Sequence, residues 1–340
     1  MSKPKLLTFD NALGQADKQP HVLLGNGFSI ACRADIFQYG QLFDRADFKD
    51  LEVTARAAFA ALQTTDFEIV MRALRQAAKL AAVYAKKQPG LGKRLRRDAD
   101  GLREVLASTI ASSHPNRPAD IQPEQYTACR TFLSRFRSIY TVNYDLLLYW
   151  ALMQSELEPQ ISGDDGFRQP EDGPEQYVTW EVDRTDTQSV HYLHGALHVF
   201  DAGSEVQKYT WCNTGMALID QIRAALASDK YPLFVAEGSA EEKLDRIQHS
   251  GFLNRSYRSF AKISGPLVIF GHSLAENDEH ILHLIDRGKM SPILVGLYGD
   301  PASASNRQII ERAKRFPSNR PPRRAASVQF FDAESARVWG

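Results

Sequence analysis

The stretch His21-Val22-Leu23-Leu24-Gly25-Asn26-Gly27-Phe28-Ser29-Ile30 decides the fold. A short apolar run meets a glycine turn, and apolar residues resume directly behind it. This is the pattern of a buried strand feeding a helix. Such a strand has no polar face, so it belongs in a sheet covered on both sides. The pattern recurs outward from there. Ser138 to Val142 ends at Asn143-Tyr144-Asp145, and Val190 to Leu193 ends at His194-Gly195. Pro232 to Ala236 is expected to be a strand ending at Glu237-Gly238-Ser239, and Pro266 to Phe270 one ending at Gly271-His272-Ser273. Ile293 to Tyr298 and Val328 to Phe331 read as later strands, with Tyr177 to Val182 and Lys208 to Cys212 as further candidates.

Between them lie amphipathic runs with helical spacing: Pro123 to Phe136, Leu146 to Gln154, Thr214 to Ala227, Asn277 to Arg287 and Ser305 to Arg315. The alternation predicts an α/β protein with a doubly wound, mostly parallel sheet. Pro159 to Glu175, rich in Gly, Pro and Asp, predicts a loop. Phe48 to Ser113 is rich in Ala, Leu, Arg and Lys and reads as helical, with a break at Gln88-Pro89-Gly90. We therefore expect one catalytic domain over residues 1–340 carrying a helical insertion at 48–120.

The 340 residues are 43% hydrophobic and 24% charged, which excludes disorder and coiled coil as the main theme. Forty-one basic residues balance forty-one acidic ones, so no general attraction to nucleic acid is expected. The three cysteines, Cys32, Cys129 and Cys212, are far apart. They cannot build a four-cysteine zinc site, and they fit a reducing, cytoplasmic setting. The first residues lack the apolar stretch of a signal peptide. The longest apolar run, Leu146 to Met153, is too short to span a bilayer.

Five predicted strand ends carry Gly with Asn, Asp, His, Glu or Ser. In open α/β sheets the ligand crevice lies beyond these ends. Gly25, Asn26, Gly27, Phe28 and Ser29 form a G-x-G-x-S turn whose amides could approach a pyrophosphate, or which is simply a tight turn. No Lys-Ser/Thr follows it, which excludes a P-loop. Asn143, Asp145 and Asp278 could each cap a helix. His194 could be a hydrogen-bonded core histidine. His191, His194 and His198 match no familiar metal spacing, and the same holds for His272, His280 and His283. The basic run from Lys86 to Arg97 reads as a solvated helix face. Cys32 reads as a small core residue or a redox handle.

Four motifs in order resemble the sirtuin-like NAD-hydrolase domains of bacterial anti-phage defence. They are Leu23-Leu24-Gly25-Asn26-Gly27-Phe28-Ser29, Tyr140-Thr141-Val142-Asn143-Tyr144-Asp145, Tyr192-Leu193-His194-Gly195 and Ile269-Phe270-Gly271-His272-Ser273-Leu274. The resemblance implies a Rossmann-like, sirtuin-like fold and NAD as substrate, with no metal. The Gly25–Ser29 loop would hold the pyrophosphate, and Asn143 would align ribose and water. Asp145 would stand near the nicotinamide amide, and His194 would be the catalytic histidine. Gly271, His272, Ser273 and Asp278 would lie along the adenosine half. The zinc ribbon of deacylating sirtuins is missing, and Ala31 to Phe37 departs from their Gly-Ile-Pro-Asp-Phe-Arg stretch. The resemblance thus implies an NADase, regulated by homo-oligomerisation or by a separately encoded activator, and acting in abortive infection. An ADP-ribosyl- or acyl-transferring enzyme, a non-catalytic NAD or ADP-ribose sensor, and a generic nucleotide enzyme are the competing readings.

Overall fold

A computed structural model describes residues 6–340, apart from 49–50, 86, 162, 171–176, 183–186, 211–214, 229, 236–238 and 319–325. In chain order its strands are β1 (His21–Leu24), β2 (Ile139–Thr141), β3 (Phe167–Arg168), β4 (Tyr177–Trp180) and β5 (Val190–Tyr192). They continue with β6 (Val199–Asp201), β7 (Val206–Tyr209), β8 (Ser264–Phe270), β9 (Lys289–Leu297) and β10 (Val328–Asp332).

Six strands form one parallel sheet in the order β10-β9-β8-β1-β2-β5. The chain builds outward from β1 to β5, returns to the middle at β8, and builds outward the other way. This is the doubly wound order, and its switch point lies between β1 and β8. Side chains alternate between two helix-covered faces. Val22 and Leu24 point into the cluster with Phe28, Phe132 and Trp150, while Leu23 points into the one with Ile269, Ile281 and Phe260. The Val22, Leu23 and Leu24 side chains are fully buried, each contributing about 1.5–3 kcal/mol.

The insertion is helical, with helices Glu52–Ala61, Phe67–Tyr84 and Leu91–Ser113. Phe48, Phe59, Phe67, Met71 and Leu106 join the same apolar cluster as β1, so these helices share the sheet's core. The last two pack against each other.

Three expectations need correction. Pro232 to Ala236 is not a strand in its described part. Leu233 and Val235 instead strap the turn after β5, through Ala196 N–H to Leu233 O (3.1 Å) and Val235 N–H to His194 O (2.8 Å). Glu237 and Gly238 lie outside the described residues. The run is apolar because Phe234 packs on Tyr144, not because it enters the sheet. The floor therefore rests on four parallel strand ends, not five. Second, Tyr177–Trp180 and the strand expected at Lys208 leave the parallel sheet. With β3 and β6 they make a small antiparallel one, ordered β3-β4-β7-β6. Third, the expected loop from Pro159 to Glu175 contains β3. No helix among the described residues is long and apolar enough to cross a membrane.

Candidate functional site

Register fixes where the strand-end residues stand. Leu24 pairs with Thr141 and with Phe270, and Thr141 pairs with Tyr192. Two residues past that common rung, in sheet order, come His272, Asn26, Asn143 and His194. The sheet thus delivers four polar residues to one row beyond its carboxyl edge, with the switch point inside the row.

The turn after β1 is packed as tightly as backbone allows. A Cβ on Gly27 would lie 2.5 Å from Gly271 Cα, and one on Gly25 would lie 2.6 Å from His272 Cα. Gly271 itself takes φ +68°, a conformation that favours glycine. The glycines therefore let the β1 and β8 turns press against each other. The amides of Gly25, Gly27, Phe28, Ser29 and Ile30 all donate within the protein, to Phe270 O, Gly271 O, Gly25 O, Asn26 O and Asn26 O. Phe28 is buried against Trp339, and the Asn26 side chain donates to Phe37 O at 3.1 Å. Of the five expected pyrophosphate-loop residues, Asn26 alone keeps an unpaired main-chain N–H among the described residues.

Ser29 instead ties β1 to β2. Its hydroxyl donates to Asp145 Oδ2 at 2.5 Å and accepts from Asn143 Nδ2 at 2.9 Å. Asn143 Nδ2 also donates to Gly25 O at 3.0 Å, so both amide hydrogens are engaged and the carbonyl oxygen is left. Asp145 Oδ1 accepts from the N–H of Leu147, the first residue of helix Leu147–Met153, at 2.8 Å, although the N-cap position itself falls to Leu146. Burial raises the Asp145 pKa, opposed by Ser29 and the Leu147 amide.

A second group surrounds His194. Its Nε2 lies 3.0 Å from His280 Nε2, and the rings are stacked. Asp278 occupies the N-cap position of helix Glu279–Arg287 but makes no capping bond. Its carboxylate turns to the site: Oδ1 is 3.1 Å from Lys243 Nζ and 3.9 Å from His194 Nε2, and Oδ2 is 3.3 Å from His272 Nε2. His272 Nδ1 accepts the Leu274 amide at 2.9 Å, so a neutral His272 carries its proton on Nε2, facing Asp278. Ser273 is exposed.

Lys243 is 1% exposed and also donates to Glu68 Oε2 at 2.9 Å, where Asn277 Nδ2 donates at 2.7 Å. Burial alone would discharge this ammonium, but Glu68 and Asp278 hold its pKa above the ordinary value. Burial would likewise raise Asp278, yet Lys243 and the adjoining histidines hold it well below. Glu68 is pushed up to about 7 by burial, against the pull of Lys243. Burial drives His194 well below its ordinary range and His280 to about 4, despite the attraction of Asp278, so both rings are neutral at pH 7. The Tyr144 hydroxyl is raised by burial and by Glu68, Asp66, Asp145 and Asp278.

The other proposed histidine sets come apart. His191 stacks on Tyr140 and His198 packs on Tyr149 and Tyr192, away from His194. His283 is exposed, whereas His280, three residues earlier on the same helix, is buried.

Sequence reasoning missed Lys243 and Glu68. Lys243 lies four residues before Ile247 on the buried stripe of helix Ala240–His249, and a lysine on an apolar stripe was the available signal. Glu68 reads as an ordinary first-turn acid behind the Asp66 cap, and nothing local ties it to a partner 175 residues away. Three surface hollows, at the Gln88–Arg97 turn, between the insertion helices, and beside Arg75 and Arg246, touch none of the strand-end row.

The arrangement can hold a neutral imidazole beside an ionised carboxylate, next to a fixed amide carbonyl. Comparison with family models finds one that covers residues 22–339, described as a domain of unknown function, DUF4917. The chain belongs to the DUF4917 family. The match takes in all of the parallel sheet but its first residue, and the insertion, so both are parts of the DUF4917 domain. No curated protein matches the chain.

Proposed function

We propose that this DUF4917 protein is an NAD glycohydrolase. It cleaves the bond between nicotinamide and ribose, giving nicotinamide and ADP-ribose or its cyclic form, as an NAD-depleting effector of anti-phage defence. The observation that carries this reading is the placement of Asn143 and His194 on neighbouring strands, two residues past one rung, in the row that also contains the switch point.

Nicotinamide leaves NAD as a neutral base from a cationic pyridinium, and the ribose gains oxocarbenium character as it goes. The protein must then orient water without placing a competing charge against the ribose. The Asn143 carbonyl oxygen can accept from water or a ribose hydroxyl, and the Gly25 and Ser29 contacts fix the plane of its amide. Neutral His194 can take the proton, and Asp278 stabilises the imidazolium that results. Lys243 keeps Asp278 ionised for that purpose.

His194 lies beneath the strap at residues 233–235 and is 3% exposed. A covered base suits an NADase that stays silent until self-assembly or a separately encoded activator opens the cleft.

The test is incubation of purified protein with NAD, alone and with co-expressed neighbouring gene products, followed by chromatography of nicotinamide and ADP-ribose. His194→Ala and Asn143→Ala should stay folded by circular dichroism and lose about 10²–10⁴ in rate. Wild-type turnover in either variant, or a wild type that neither binds nor cleaves NAD under any of these conditions, overturns the reading. Binding without cleavage would point to the sensor instead.

A further inference from the structure

His194, at the end of β5, meets His280 and Asp278 from the segment that follows β8, 86 and 84 residues later in the chain. One ligand atom from each lies within 4.8 Å of the other two. Both histidines are at least nine-tenths buried, and the two Nε2 atoms face each other at 3.0 Å. Two neutral imidazoles in that pose share a single proton across the contact, because only one Nε2 can donate to the other. The pair is thus poorly served by hydrogen bonding alone. Tetrahedral zinc, with Zn–N of about 2.0–2.1 Å, sets two nitrogen ligands roughly 3.3 Å apart, within a few tenths of an ångström of the spacing here.

We propose that His194 Nε2, His280 Nε2 and an Asp278 oxygen form a binding site for a divalent transition metal of the zinc class. Three protein ligands leave one position open. Lys243 does not exclude the ion. A carboxylate oxygen has two lone pairs, so Asp278 can ligate while accepting from Lys243, which then orients it as an outer partner does. Glu68, on the other side of Lys243, balances the ammonium. Zinc on His194 Nε2 takes the lone pair that would accept the proton. Where the NADase reading holds, the metal is an inhibitor. The binding itself does not depend on that reading.

The experiment uses the full chain, stripped of metal with a chelator and titrated with Co²⁺, whose visible absorption reports tetrahedral nitrogen and oxygen ligation. We expect one equivalent to bind and zinc to displace it. His280→Gln should weaken Co²⁺ binding about tenfold or more, as should Asp278→Asn. His249→Gln, at an exposed histidine on another helix, should not. Should either ligand variant unfold, X-ray absorption of the zinc-loaded wild type gives the same answer, with two imidazoles in the shell expected. No stoichiometric binding, affinity unchanged by both ligand variants, or a zinc shell without imidazole pairs overturns the site. Loss of NAD cleavage is not a readout here, so failure of the NADase reading and failure of the metal site are separable.

Discussion

Replacing Lys243 by methionine keeps the side-chain length but removes the cation held between Glu68 and Asp278. Lys243 is 1% exposed, and its partners' side chains are 12% and 13% exposed, so water compensates little. Stranding buried charges in this way destabilises a fold by about 3–5 kcal/mol. The loss carries a pH signature. Without the ammonium, both carboxyl pKa values rise in the folded state above their unfolded values. Glu68 starts from about 7 even with Lys243 in place. A group raised in this way is fully accommodated at acid pH and destabilises as pH climbs through its folded pKa. The deficit against wild type should therefore be largest near about pH 8 and shrink towards about pH 5.5. Urea unfolding followed by far-ultraviolet circular dichroism, at both pH values, measures it. Adding Glu68→Gln to the variant should recover more than about 1 kcal/mol at the higher pH, because only one stranded charge remains. A deficit below about 1 kcal/mol, or one that does not shrink in acid, would refute the claim that this ion pair compensates its own burial.

Buried neutral histidines set the acid limit. His114, His191 and His280 are each held to about 4 against an ordinary 6.5, chiefly by burial. His114 shows why: its Nε2 accepts the Leu146 amide, so protonation would break that bond. Folded values below unfolded ones mean stability is present above pH 6.5 and lost as pH falls towards 4, at most about 3.5 kcal/mol per ring at roughly 1.4 kcal/mol per pH unit. Urea midpoints from pH 7 to 4 should fall steeply, and a flat profile would contradict it. Gly195→Ala should lower the melting temperature sharply. Its φ is +79° and an added Cβ would sit 2.0 Å from Leu233 O, so an unchanged melt would refute the close crossing of the strap over Gly195. Cys32 is pushed up to about 12 by burial and Cys129 is raised well above its usual value, so neither should be alkylated by iodoacetamide in the native protein at pH 8. Rapid labelling of Cys32, mapped by mass spectrometry, would revive it as a redox handle.

The parallel sheet was legible because β1, β2, β5 and β8 are short buried runs that stop at glycine, asparagine or His194-Gly195. Pro232 to Ala236 has the same look, but its apolar residues serve a strap over Gly195, and periodicity cannot tell a strap from a strand. The small antiparallel sheet was hidden for the opposite reason. Lys208 is buried in β7 by its ion pair with Asp165 and by the Tyr149 and Phe167 rings, and a lysine advertises solvent. At the site, Asn143 and His194 could be named from where strands stop. His280, Lys243 and Glu68 could not, because their partners are set by how the segment after β8 and the insertion fold over the sheet edge. The glycine loop was found, but the structure gives its glycines a different duty.

That duty limits how the molecule can open. Where the β1 and β8 turns meet, backbone lies against backbone with no side chain between them, like two bricks laid without mortar. Such a joint has no rotamers to rearrange and no slack to take up, so the floor of the crevice moves as one slab. Any passage to His194 must therefore be made from above, by lifting the strap that crosses Gly195 or the helix that carries Lys243, and substitutions that stiffen or loosen those two pieces are where the accessibility of the site can be tuned.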